Sequence, residues 1–422
     1  MGPIPSPRNS EKPRSGESSA AFTATRLRAI ATLATVAMLA FSWPLWIEGG
    51  EIPQVPFLQG IPRPSYAVSW LLFATLLTSL TMTGLARCCR GWLGLSLCLL
   101  ALMVLEDQHR FQPWVYQGAM IVLLPAAIPG PRGLKYVRWW FVALYIHSGL
   151  SKLDRSFCDE LGPVFLDAGL RWLGLSISEI PESLRLPIIL AMPLGEILVG
   201  IALLCDRSRQ LGRIGAASMH GLLIAILGPL GIGHSALVLA WNGAMLVEVW
   251  VAFESRIEQS TEPPSVRLRS MPGVILFWVL VLLPLAERWG WFDAWPSHAL
   301  YASHVGRVAV FVNSSELGQV PPKMVPHLKK IDDSGYAELD MTGWSRAERG
   351  TPLYPQVRAT LGLAEGLAAR YGGGRLLRVI LYGPANRWTG RRSREEMIRL
   401  GAIRRRADRF FLNGHYSFPP NR

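Results

Sequence analysis

The chain has 422 residues, half of them hydrophobic, with 16 tryptophans, only 17% charged residues and a formal net charge of +13. So little charge cannot cover a soluble surface, which excludes an ordinary soluble domain and points to a helical membrane protein. The basic excess does not indicate nucleic acid: from Tyr301 onward 20 lysines and arginines face 10 acids, and a basic segment beside a bilayer meets anionic headgroups or an acidic partner.

Residues 1–25 are rich in Pro, Ser, Arg and Glu without periodicity, the composition of a disordered tail. Nine apolar stretches follow, several approaching the roughly 20 residues that cross about 30 Å of hydrocarbon. They run from Ala29 to Trp46, Tyr66 to Ala86, Gly91 to Leu105, Trp114 to Ile128 and Tyr136 to Leu150. After a polar interval from Asp154 to Arg185 come Pro187 to Leu204, Ile214 to Leu230, Ser235 to Phe253 and Met271 to Ala286, the last being short. The first ends in Trp-Pro-Leu-Trp rather than a small-residue cleavage site, so it reads as a span and not a signal peptide.

Loop charges alternate along this array. Arg26 and Arg28, Arg87 and Arg90, Arg132, Lys135 and Arg138, Arg207, Arg209 and Arg213, and Arg267 and Arg269 share one side, whereas Glu48 and Glu51, Glu106 and Asp107, and Asp154 to Asp167 share the other. The positive-inside rule then places the N-terminus in the cytoplasm of an inner-membrane protein and the C-terminal part outside, in the periplasm. That part, 291–422, reads as a small basic α+β domain appended to the 26–290 helical region. Its strands are VAVFV from Val308, LLRVILYG from Leu376 and a weaker AELDMTGW from Ala337; its helices are Val357 to Tyr371 and Arg394 to Phe411, with Ser393 as N-cap.

Lys152, at the exit of the fifth stretch, has two readings. It is an anchor that extends its ammonium into the headgroups, or a base whose amine, drawn away from water without a compensating carboxylate, accepts a proton. Spacings of three and four place Tyr145, Ser148 and Gly149 on its face of the helix and turn His147 elsewhere. Glu196, inside the sixth stretch after Pro193-Leu194-Gly195, requires a polar partner, for which Lys152, His220 and Asn242 are candidates, or a wet cavity. His220 stands alone on an apolar helix, without a second His or Cys at ligand spacing, so no metal is expected. The cluster from Glu106 to Trp114, with Asp107 and His109, either lines the mouth of the same cavity or pairs within a solvated loop. The Gly372-Gly373-Gly374 run precedes a strand and is no phosphate loop. Five scattered cysteines without a CxxC pair give neither a dithiol nor a zinc site.

The segment YIHSGLSKLDRSF resembles the aromatic-x-x-x-Gly-x-x-Lys-Leu-Asp motif of HTTM membrane domains, the transmembrane part of vitamin K-dependent gamma-carboxylase, and PLGEILVGIALLCDRSRQLG is similar to that family's next span and turn. The segment QPWVYQG departs from the family's Asn-His-Tyr-Leu pattern. The resemblance implies a reduced quinone as cofactor, Lys152 as the base that deprotonates it, and His220 as a cavity residue. LGEILVGIALL also looks like the Glu-bearing span of DoxX or MauE proteins, which implies instead a redox-associated scaffold or maturation factor with a protein partner at the C-terminal domain. A proton-coupled transporter using Glu196 is the third class. The expectation is thus a polytopic α-helical membrane protein of about nine transmembrane helices, bearing a C-terminal α+β domain, with Lys152, His220 and Glu196 as catalytic candidates and Tyr145, Ser148, Asp107, His109 and Asn242 lining the cavity. Its partners are the lipid bilayer and a quinone or other apolar small molecule.

Overall fold

The computed structural model describes residues 15–47, 50–86, 88–254, 269–371 and 377–417. Arg87, Arg267, Glu48 and the Gly372-Gly373-Gly374 run lie outside these residues, as do residues 1–14 of the expected tail. From Ser15 onward the expected tail is already helical, because Ser15 to Thr25 continues the first apolar helix without a break: α1 spans Ser15–Phe41.

Each expected apolar stretch is helical. A short α2, Trp43–Trp46, is followed by α3 (Tyr66–Leu85), α4 (Arg90–Glu106), α5 (Pro113–Ala127) and α6 (Pro131–Ser151). The small helices α7 (Arg155–Asp159) and α8 (Leu161–Leu170) fill the polar interval. Then come α9 (Glu182–Leu204), α10 (Arg209–Leu227), α11 (Ala236–Ala252) and α12 (Met271–Leu282), the last prolonged by a 3-10 segment, Leu283–Trp289. Local chemistry sets several starts: the Ser65 hydroxyl accepts from the Val68 N–H at the head of α3, and Pro113 and Pro131 open α5 and α6, where no N–H is needed.

Among the described residues, five helical segments are long and apolar enough to cross a membrane, Ser19–Phe41, Tyr66–Leu85, Glu182–Leu204, Arg209–Leu227 and Met271–Trp289. Nine membrane-length spans are therefore not reached. Helices α5 and α11 are apolar but short, and α6 carries Arg132, Lys135 and Arg138 in its first turns. Helix α1 packs against α3, α5 and α11, while α6, α9, α10 and α11 pack in succession beside it.

The C-terminal part holds one antiparallel sheet, β2-β3-β1-β4-β5, built from β1 (Arg307–Asn313), β2 (Leu328–Ile331), β3 (Tyr336–Leu339), β4 (Leu377–Tyr382) and β5 (Arg394–Met397). Helices α13 (Met341–Arg349), α14 (Val357–Arg370) and α15 (Leu400–Ala407) complete it. Two expectations are corrected. The stretch after Leu339 leaves the strand because Asp340 caps α13 through the Gly343 N–H, and the expected long helix from Arg394 splits into β5 and α15. Ser393 is no N-cap; its carbonyl accepts from the Gly383 N–H, which aligns β5 with β4 so that Val379 faces Met397.

The loop between α2 and α3 belongs to this second core. Ile52 is buried among its apolar residues, and a Cβ at Gly366 of α14 would stand 2.7 Å from the Pro53 side chain. A backbone bridge joins Gln54 to Ser417 near the other end of the chain.

Candidate functional site

Helices α6 and α9 pack closely, and glycine makes that possible: a Cβ at Gly149 would lie 2.5 Å from the Pro193 carbonyl oxygen and 2.7 Å from Ile197 Cγ1. The close approach brings the exit of α6 to the middle of α9. Lys152 caps α6, and its Nζ donates to both Glu196 oxygens at 2.9 and 3.1 Å, to the Ser148 hydroxyl at 2.7 Å and to the Ser148 carbonyl at 3.1 Å. Side-chain exposure is 5% for Lys152 and 13% for Glu196, so the ion pair is buried. The expectation of an amine without a carboxylate is therefore overturned, as is the anchor with its ammonium in the headgroups. The amine thus has acceptors on both Glu196 and Ser148.

A second polar chain crosses the same space. Asn242 Nδ2 donates to the Val238 carbonyl at 2.9 Å, which turns Oδ1 toward His220 Nδ1 at 3.1 Å. In neutral His220 the Nδ1 proton then serves Asn242, and Nε2 accepts from the Tyr145 hydroxyl at 2.9 Å. His147 is on another face of α6, with Nε2 donating to the Val281 carbonyl at 2.9 Å.

Lys152, Glu196, Ser148, Tyr145, His220 and Asn242 all line one cavity of about 330 Å³. Its remaining walls are mostly apolar side chains of α6, α9, α10 and α11, including Met192, Val199 and Met245. Phe157, Phe165, Ser218, Trp241 and Tyr301 also line it and escaped sequence reasoning. Tyr301 sits in the connection to the sheet at a φ of 60°, edge-on to Phe165, and no periodicity marks such a position. Among the described residues no cluster of three or more His, Cys, Asp or Glu is arranged to hold a metal ion.

Asp107 and His109 do not belong to this site, which corrects their expected place. The cluster does pair within itself, through Arg110 and Glu106, but it is buried rather than solvated and lines no part of the Lys152 cavity, because further partners come from distant parts of the chain. Arg110 pairs with Glu106 at 2.6 Å and donates to the carbonyls of Leu45 and Trp46; Gln108 Nε2 donates to those of Pro56 and Asn413. Asp107 accepts from the Val55 N–H, and His109 Nδ1 accepts from the Tyr354 N–H at 3.1 Å. Burial holds the His109 pKa down at about 4, so the ring is neutral and free to accept.

No family model, no curated protein and no solved structure matches this chain.

Proposed function

We propose that the chain is a polytopic inner-membrane protein of the HTTM type, whose cavity between α6, α9, α10 and α11 binds a reduced quinone and moves a proton at its polar end. The observation that supports this reading is the convergence of Lys152, Glu196, Tyr145, His220 and Asn242 on one otherwise apolar cavity. At about 330 Å³ it sits near the lower end of the range that small-molecule pockets occupy, roughly 300–1,000 Å³, enough for a ring with its tail directed toward lipid. Apolar walls with a few convergent polar groups fit a quinol ring.

A bound quinol supplies an ionisable hydroxyl. The ion pair divides the work expected of Lys152 alone: the Glu196 carboxylate accepts a proton from a hydroxyl at that end, and the Lys152 ammonium holds the negative charge left beside it. Ser148 also holds the ammonium through its hydroxyl and carbonyl. The Tyr145–His220–Asn242 chain orients a polar group farther along the cavity. The site opens to the outer face in this reading, with the N-terminus cytoplasmic and the sheet periplasmic.

The test is quinone retained by the detergent-solubilised protein, together with the absorbance of an added quinol analogue. Glu196→Gln is expected to keep binding and abolish ionisation of the bound analogue. Lys152→Arg is expected to keep the fold and the charge but lose productive geometry, and Lys152→Ala to lose both. A protein that retains no quinone yet captures a protein partner overturns this reading in favour of a DoxX- or MauE-like scaffold; proton-driven uptake that depends on Glu196 without quinone binding overturns it in favour of a transporter.

A further inference from the structure

We propose that a second, larger cavity, between the end of the last apolar helix and the sheet, holds the phosphate headgroup of an anionic membrane lipid. The inference rests on the membrane-spanning reading above but not on the quinone. The cavity is about 860 Å³ and takes its walls from residues 287–294, from 304–306 just before β1, from the start of α14, from the β4–β5 connection and from residues 410–412. Five arginines line it against three carboxylates. Each carboxylate is already engaged from within: Glu287 by His304 and Arg387, Asp293 by Arg358 and Tyr354, Glu395 by Arg406. Arg288 has no carboxylate partner among the described residues, and Arg394 reaches only Glu396, at 3.1 Å and largely in the open. The surplus is cationic, and guanidinium groups match phosphate oxygens in both charge and geometry.

The rim identifies the source of the phosphate. Trp289, Trp291 and Trp388 are 66%, 81% and 86% exposed, and Phe411 is fully exposed. Trp289 is the last residue of a segment long and apolar enough to span a bilayer, and Trp388 and Phe411 come from the sheet domain to the same cavity. Large aromatic rings gain little from facing water, whereas the headgroup layer is where tryptophan side chains concentrate. Arginines ringed by aromatics at that depth meet lipid phosphate before any other anion.

The experiment uses the full chain in nanodiscs of phosphatidylcholine with and without phosphatidylglycerol, reading bound lipid by native mass spectrometry after transfer to detergent. Wild type is expected to retain phosphatidylglycerol. The double variant Arg288→Gln with Arg394→Gln, and separately Trp388→Ser, all at exposed positions, should weaken retention on the order of tenfold while unfolding at the wild-type temperature. Equal retention by variants and wild type overturns the site. Inorganic phosphate that matches the thermal stabilisation given by phosphatidylglycerol overturns the lipid as its source. Carbonate extraction of membranes reads the underlying assumption separately: a protein released by carbonate overturns the membrane reading and this site with it.

Discussion

Lys152 and Glu196 stabilise each other conditionally. Two charges withdrawn from water at this burial are tolerable because each offsets the other and Ser148 fills the remaining donors. Glu196→Leu leaves the ammonium stranded and is expected to cost about 3–5 kcal/mol. The double change Lys152→Met with Glu196→Leu should recover most of that loss, as thermal unfolding in detergent will show. His304 is a second such residue, clasped at 2.7 Å on both ring nitrogens by Asp154 and Glu287, with Arg387 also at its Nε2 and Arg392 donating to its carbonyl. Two acceptors require both nitrogens to carry protons. Burial opposes that charge, but the bonds to Asp154 and then Glu287 outweigh it, even with Arg387 adjacent, and the pKa is raised above its ordinary value. The linkage sign follows: this contribution is fully present below the ordinary histidine range, near 6.5, and is lost as pH rises through the higher folded value. Unfolding temperatures measured from acid to alkaline pH should fall across that window in wild type, with a flatter profile in His304→Gln.

The contact between α6 and α9 sets the separation of the ion pair. Gly149→Ala places a methyl group against the Pro193 carbonyl, and overpacking of this kind costs about 1–3 kcal/mol. Gly195→Ala, on α9 beside Glu196 but with nothing within 4 Å of the new Cβ, is expected to leave the unfolding temperature unchanged or slightly raised. The helices were legible because apolar runs of this length have few alternatives; Glu196 stood out by its depth in such a run and Lys152 by its place at the exit of one. Their pairing was not legible, since periodicity relates residues of one helix and says nothing about which face of another it meets. The strand β5 failed for a related reason. Its first three residues are exposed and charged, and Arg-Glu-Glu before an apolar run imitates a helix start; only Gly383 and β4 alongside it decide for pairing. The strand β2, whose Lys-Lys-Ile is exposed, carries almost no apolar signal at all. The place of the cluster from Glu106 to Gln112 stayed open between cavity mouth and solvated loop because several of its partners, Leu45, Val55, Tyr354 and Asn413, lie far away along the chain.

Hydrogen bonds to backbone carbonyls tie the loop after α2 to α13 of the sheet domain and to residues 413–417. Asn413 donates from its amide to Pro56 and receives Gln108 at its carbonyl, while Arg349 donates to the Ile52 carbonyl at 2.7 Å. A chain ending at Ala407 loses Asn413 and Ser417, and limited proteolysis is expected to cut it between Gly50 and Phe57 faster than it cuts the 422-residue chain there. Residues 52–57 find partners first at 105–108 and Arg349, and the set is completed by Asn413 and Ser417, made much later. A chain stopped before Asn413 therefore carries an unfinished seam at residues 52–57, a stretch left open to quality control.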